Sequence, residues 1–153
     1  MIFMESKIAV VATVPSMVRA FLSNHIKSLS SNYEVTVISN LSSQNDNLDI
    51  LPGDVILVDL PILRDINILS DIKALHLLIK YFYIEEFSVI YSSTPKGGLL
   101  SMIAAWATRV PIRIHTFTGQ VWANSRGFNR FLLKLMDRIT ASLATIVIVD
   151  SPT

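Results

Sequence analysis

The sequence lacks cysteine altogether, and its three histidines are scattered along the 153 residues. The absence of cysteine excludes a disulfide framework and every metal site that needs a thiolate ligand. Scattered histidines do not supply the clustered ligands of a zinc site, so we expect no metal. A chain without cysteine is compatible with the reducing cytoplasm, where we expect the protein to act.

A long apolar run is also missing. The longest nearly uncharged stretch, residues 97–108, is shorter than the roughly 20 residues that a helix needs to cross a bilayer. The amino end does not show the basic and then apolar pattern of a secretion signal. These absences predict a protein that is neither membrane-spanning nor exported.

Glycine is scarce, with five residues, and none lies in the turn after the first apolar run, at residues 12–17. The dinucleotide-binding fingerprint needs glycines at that turn, where the backbone must approach a pyrophosphate. A Walker A sequence is absent too, because Lys96 precedes its glycines. We therefore expect no nicotinamide, no bound nucleoside triphosphate and no other cofactor.

What the chain does contain is enough apolar surface for one domain with a large core. Hydrophobic residues make up 51% of the sequence and charged residues 16%, which argues against disorder. Short apolar runs rich in β-branched residues alternate with segments that repeat apolar residues every three or four positions. This alternation predicts an α/β fold, a doubly wound, Rossmann-like parallel sheet of about six strands in the order 3-2-1-4-5-6, with helices on both faces. The predicted strands span residues 7–13, 34–39, 54–60, 87–91, 111–115 and 145–149, and the predicted helices lie around residues 17–29, 69–82, 97–108 and 128–143.

Polar or glycine-bearing segments follow three of the predicted strands, at residues 92–98, 115–119 and 150–152. The carboxyl ends of parallel strands meet at one edge of the sheet, and ligands bind in the crevice outside that edge. We therefore expect the three segments to border one crevice.

The first of these segments contains Thr94-Pro95-Lys96-Gly97-Gly98, between a strand and a helix. Free amide groups, the helix dipole and the lysine would together hold an anion such as a phosphate. The alternative is that Pro95 and the two glycines only shape a tight turn and that Lys96 is solvated.

The second segment begins with His115 at a strand end, followed by Thr118 and Gly119. An imidazole at this position would hydrogen-bond a ligand oxygen or move a proton. The alternative is a core histidine that binds a backbone carbonyl. His25 and His76 fall within helical patterns and are interpreted as structural.

Charge is unevenly distributed along the chain. Residues 1–76 carry five basic and eight acidic side chains, whereas residues 77–153 carry eight basic and four acidic ones. Arg126, Arg130, Lys134 and Arg138 recur at four-residue steps, which keeps them on one flank of a helix. Such a flank fits contact with an anionic membrane surface, and the alternative is an ordinary solvated flank. The interleaved aromatic residues that single-stranded nucleic acid needs are absent, so we expect no nucleic-acid partner.

Three segments carry a resemblance when they are taken together. They are residues 92–100 with Thr-Pro-Lys-Gly-Gly, residues 110–122 with His-Thr-Phe-Thr-Gly, and residues 149–152 with Val-Asp-Ser-Pro. In this order and spacing they closely resemble the amino-terminal domain of bacterial family 4 glycosyltransferases, and the resemblance covers essentially the whole chain. Those enzymes are retaining transferases of GT-B architecture, in which two Rossmann-like domains face each other across a cleft. The amino-terminal domain mainly holds the acceptor, and the carboxyl-terminal domain holds the nucleotide-sugar donor.

The resemblance implies roles for individual residues. His115 matches the histidine near the donor sugar and is the expected catalytic residue, and residues 13–17, with Pro15 and Ser16, match a loop that borders the cleft. The family's glutamate pair and nucleotide pocket belong to the second domain, which these 153 residues do not include. The expected acceptor-binding residues are Arg64, Thr94, Lys96, Gly97, Gly98, Thr118 and Gly119.

On this resemblance, residues 1–153 are a single amino-terminal domain without its donor-binding partner domain, and they are expected to be inactive alone. The expected function is transfer of a sugar from a nucleotide sugar to a glycan acceptor in the biosynthesis of bacterial capsule, O-antigen or exopolysaccharide, and we expect this acceptor to be lipid-linked. The nucleotide sugar is a co-substrate bound mainly by the missing domain. We also expect the protein to make peripheral contact with the inner face of the cell membrane.

Two alternatives stay open. The chain could be a stand-alone binding subunit that docks a separate donor-binding chain or a membrane surface. It could also be a different Rossmann-like enzyme, such as a nucleotide-sugar epimerase or reductase, although the missing glycines after the first strand weigh against that class.

Overall fold

The computed structural model describes residues 6–43, 47–119 and 121–149. Within them, the strands form one parallel six-stranded sheet in the order β3-β2-β1-β4-β5-β6. The predicted fold class and strand order are therefore confirmed. The strands are β1 (Lys7–Val11), β2 (Glu34–Ser39), β3 (Ile56–Asp59), β4 (Val89–Ser92), β5 (Ile112–Phe117) and β6 (Ile146–Val149), and the helices are α1 (Pro15–Met17), α2 (Ser23–Ser30), α3 (Ile68–Glu85), α4 (Pro95–Ala107) and α5 (Gly127–Leu143).

The central strand β1 is covered on both faces, which explains its continuous apolar sequence. Ala9 and Val11 pack into a core cluster beneath α3 and α4. Val10 belongs to a second cluster on the opposite face of the sheet, together with Val18 and Ile26 of the first helical segment. The two core clusters therefore hold β1 in place from both faces of the sheet. The segment that follows its carboxyl end borders the candidate site.

Helix α4 lies between α3 and α5 on one face of the sheet. Its sequence is apolar nearly all round, and such a helix is buried by neighbours on several sides. Met102, Ala104 and Ala105 are fully buried within it. The predicted position of this helix between other elements is confirmed.

The first predicted helix is not a regular helix. It begins with Pro15 in α1, passes through a π-helical segment (Val18–Leu22) and continues as α2. Proline suits the first helical turn because its missing N–H has no intrahelical partner there. Phe21, predicted within the apolar stripe, is exposed because the π-helical turns change which side chains face the sheet.

Strand β5 is longer than the prediction for residues 111–115. Thr116 and Phe117 continue the strand and pair with Ile148 and Val149 of β6. Pairing with β6 thus extends the strand into residues that the sequence analysis assigned to a polar segment.

The expected third loop, at residues 150–152, lies outside the described residues, as do residue 120 and residues 44–46.

The apolar stripe predicted for α5 is only partly buried. Phe128 is 73% exposed and Phe131 is 63% exposed, and Leu135 and Ile139 are also exposed. No element within the described ranges covers this flank, and all four residues of the edge strand β6 are exposed as well.

Among the helices of residues 6–43, 47–119 and 121–149, none is both long and apolar enough to cross a membrane.

Candidate functional site

A cavity of about 440 Å³ lies at the carboxyl edge of the sheet. It is bordered by the segments that follow β1, β3, β4 and β5, and by one face of α5. This is the edge at which parallel sheets bind ligands. The structure thus brings several predicted residues together around one space: Arg64, Thr94, Lys96, His115, Thr118 and Gly119.

Two threonines join the segment after β1 to the segment after β4. The backbone N–H of Thr13 donates to Oγ1 of Thr94 at 3.1 Å, and the two hydroxyl oxygens are 2.8 Å apart. Both side chains are buried. A Cβ atom on Gly97 would lie 2.5 Å from Oγ1 of Thr94, so glycine is required for this contact.

His115 lies in β5 at the floor of the cavity, with only 1% of its surface exposed. Its Nδ1 is 2.7 Å from Oγ of the buried Ser92 in the neighbouring strand β4. The ring of Phe117 meets the imidazole edge-on, with 4.5 Å between centroids. Burial lowers the pKa of His115 to about 4, so the imidazole is neutral near pH 7.

Gly98 allows α4 to press against the imidazole. A Cβ atom at Gly98 would lie 2.2 Å from Cε1 and 2.5 Å from Nδ1 of His115, which is too close for any real side chain. Gly97 and Gly98 lie inside α4, so the alternative in which they shape a tight turn is wrong. They line no part of the cavity; their contribution is close packing beneath it.

Lys96 is buried and paired. Its Nζ lies 2.6 Å from Oδ1 of Asp71 in α3, and it also donates to the backbone carbonyl oxygen of Asp65. The alternative in which Lys96 is solvated is therefore wrong. The lysine ties α4 to α3 and to the exposed segment that carries Arg64. Its predicted contact with an acceptor anion stays a prediction.

The predicted first loop contributes less directly than expected. Pro15 and Ser16 lie in α1 and do not border the cavity, whereas their neighbours Val14 and Met17 do. Pro15 is buried and begins the helix. The segment borders the cavity through Thr13, Val14 and Met17. The role that the resemblance implies for Pro15 and Ser16 stays a prediction.

Helix α5 supplies cavity residues that sequence reasoning missed, namely Leu133, Met136 and Asp137. These positions, three and four residues apart, share one helix face. The spacing was visible in the sequence, but nothing there indicated which face of the helix would meet the cavity.

No group of three or more potential metal-binding side chains occurs in the part of the chain that the structure describes.

The four basic residues predicted on one flank, three of them in α5, do not border the cavity. Arg130 and Lys134 approach the ring of Trp122, at 5.4 Å and 4.4 Å from its centroid. Arg126 precedes the first turn of α5, and Arg138 is exposed near its end. The basic flank therefore borders the exposed apolar flank formed by Phe128, Phe131, Leu135 and Ile139.

Comparisons with known proteins agree with the fold and give one sequence relative. No protein-family model matches the chain. Over 92 residues the chain is 41% identical to the capsular polysaccharide biosynthesis glycosyltransferase CapM of Staphylococcus aureus, covering 60% of this chain and 24% of that protein. The chain thus spans about a quarter of that relative's length.

Two solved structures show the same fold at low sequence identity. UDP-N-acetylglucosamine 2-epimerase from Rickettsia bellii has a TM-score of 0.69 and 16% identity, covering 97% of this chain and 39% of that chain. The complex of S. aureus MnaA with UDP has a TM-score of 0.61 and 16% identity, covering 95% of this chain and 38% of that chain. These similarities establish a Rossmann-like fold that matches enzymes of GT-B architecture.

The neutral state of His115 predicts a pH dependence of stability. Its folded-state pKa of about 4 lies below the ordinary value of 6.5, so the unfolded chain binds the proton first as the pH falls. Stability linked to this group is therefore complete above about pH 6.5 and is lost between pH 6.5 and 4, by about 3 kcal/mol. Urea unfolding across this range should show the loss in the wild type and a smaller slope in His115→Gln.

His76 provides the matched control because it is exposed on α3. The variant His76→Gln should keep the wild-type slope. Equal slopes in the wild type and in His115→Gln would contradict the burial of a neutral imidazole.

Proposed function

We propose that residues 1–153 are the acceptor-binding, amino-terminal domain of a retaining family 4 glycosyltransferase of GT-B architecture. The whole protein transfers a sugar from a nucleotide sugar to a lipid-linked glycan during assembly of a bacterial surface polysaccharide. The observation that carries the proposal is the neutral His115 at the floor of the cavity, within the His-Thr-Phe-Thr-Gly segment. The 41% identity to a capsular polysaccharide glycosyltransferase supports it.

His115 has the properties that hydrogen bonding to a donor sugar requires. The imidazole carries no charge near pH 7, and Ser92 engages Nδ1. If the Ser92 hydroxyl donates this bond, Nε2 carries the proton and is the ring's remaining hydrogen-bond donor. A fixed donor of this kind stabilises charge that develops on the sugar during transfer.

The acceptor lies between the segments after β3, β4 and β5. Arg64, Thr94, Thr118 and Gly119 border this space. Lys96 holds the backbone next to Arg64 through its contact with the carbonyl oxygen of Asp65, the next residue. An acceptor anion that also reaches Lys96 must compete with Asp71.

The donor's nucleotide is bound mainly by a second domain, so residues 1–153 alone do not catalyse transfer. The UDP complex of a protein with the same fold supports a nucleotide sugar as the co-substrate. The reaction needs no metal and no further cofactor from this domain. It takes place in the cytoplasm, where nucleotide sugars reach the inner face of the cell membrane.

Transfer of labelled sugar from a panel of nucleotide sugars to lipid extracts of capsule-producing bacteria tests the proposal. The full-length protein should be active, residues 1–153 should be inactive, and the product should retain the anomeric configuration of the donor. His115→Gln should lower kcat by roughly 100-fold, the effect of losing one fixed hydrogen bond to developing charge. His76→Gln is the control, and wild-type turnover in His115→Gln would contradict the role of His115.

The outer surface of α5 supports peripheral membrane contact. Its exposed phenylalanines, Phe128 and Phe131, adjoin the flank of Arg130, Lys134 and Arg138. A helix with an apolar flank beside a basic flank lies in the plane of a membrane interface. The cavity is formed by the inner face of the same helix, so a lipid-linked acceptor anchored at the membrane would lie close to it.

Vesicle sedimentation tests this contact. The variant Arg138→Gln should weaken binding to phosphatidylglycerol vesicles by roughly fivefold, since each basic residue near the headgroups contributes on the order of 1 kcal/mol. Arg19→Gln removes an equal charge from an exposed position on the opposite face of the sheet and should have no effect. Binding that is insensitive to salt, or equal effects of the two variants, would contradict the contact.

A stand-alone binding subunit is the second candidate, and the exposed apolar surface of α5 and β6 favours it. Such a surface fits a separate donor-binding chain as well as a membrane. The encoding reading frame separates the two candidates: several hundred further residues favour the transferase domain, and a stop codon after Thr153 favours the subunit.

A further inference from the structure

Asp137 is the one acidic residue on the cavity face of α5. It borders the cavity together with Leu133 and Met136, and it is half-buried. Arg138 follows it directly and Lys134 precedes it by three residues, yet none of the ion pairs among the described residues includes it. Its carboxylate is therefore not explained by charge pairing along the helix.

The side chain of Trp122 lies next to the helix that carries Asp137, with its ring against Arg130 and Lys134 of α5. Burial raises the pKa of Asp137, because the effect of desolvation exceeds the opposite effect of Trp122.

The other titratable groups around the cavity are paired, neutral or on an exposed segment. Lys96 is paired with Asp71, and His115 is neutral near pH 7. Arg64 and Asp65 lie together on the exposed segment between β3 and α3. Asp137 is thus a half-buried carboxylate beside apolar side chains, on the side of the cavity that α5 forms.

This combination matches the two surfaces of a sugar ring. Leu133 and Met136 suit the ring's apolar face, and a carboxylate accepts hydrogen bonds from hydroxyl groups at its edge. Hydrogen bonds to an ionised acceptor are roughly twice as strong as those between neutral groups. A sugar that carries its own carboxylate would place two negative charges close together in a partly desolvated space, which is unfavourable.

We infer that Asp137 binds a hydroxyl group of the acceptor sugar and selects neutral sugars over acidic ones. The inference rests on the proposed function, because it places the acceptor in this cavity. It adds a residue and a substrate class that the sequence resemblance does not supply.

Binding of simple glycosides to the protein, followed by NMR, tests the inference. The probes are the methyl β-glycosides of glucose, galactose, N-acetylglucosamine and glucuronic acid. At least one neutral glycoside should bind the wild type and bind Asp137→Asn roughly tenfold more weakly, because the variant loses charge-assisted hydrogen bonding. The glucuronide should bind the wild type more weakly than the glucoside, and Asp137→Asn should reduce that difference.

The matched control is Asp54→Asn. Asp54 is exposed in the turn before β3, at the opposite end of the sheet from the cavity. The control should bind glycosides as the wild type does.

Three results would overturn the inference: equal affinity of Asp137→Asn and the wild type for neutral glycosides, preference of the wild type for the glucuronide, or no glycoside binding at all. None of these decides the proposed function, which depends on the transfer assay with nucleotide sugars. The failure of one proposal is therefore distinguishable from the failure of the other.

Discussion

The site depends on the close approach of α4 to the imidazole of His115. A Cβ atom at Gly98 would overlap the ring, so glycine alone allows the helix to lie where it does. The same helix turn carries Gly97 against Thr94 and Lys96 against Asp71. One packing constraint therefore positions three of the segments that border the cavity.

This approach also determines the chemistry of His115. The packed helix excludes water from the ring, and desolvation keeps the imidazole neutral. Lys96, which a solvated turn would leave free, is instead buried and joins α4 to the segment that carries Arg64. The cavity therefore has a neutral floor. Around it lie Arg64, Asp65 and Asp137, which form no ion pair within the part of the chain that the structure describes.

The sequence predicted the strands and their order because buried parallel strands have continuous apolar sequences, as in β1 and β2. It placed His115 and Thr94 at one edge because that follows from strand direction alone. It could not predict the contacts between Lys96 and Asp71 or between Ser92 and His115, since long-range pairs leave no local pattern. It also misjudged α5, because periodicity shows that Phe128 and Phe131 lie on an apolar flank but not whether another element covers them.

The most direct test is the free energy of unfolding of Gly98→Ala, measured in urea beside Gly53→Ala. Gly53 has open space around its Cβ position, so its substitution should change stability by no more than about 1 kcal/mol. Gly98→Ala must displace α4 or the imidazole, and we predict a loss of about 1 to 3 kcal/mol. Equal stability of the two variants would contradict the packing of α4 on His115, and with it the neutral, buried histidine on which the proposed site depends.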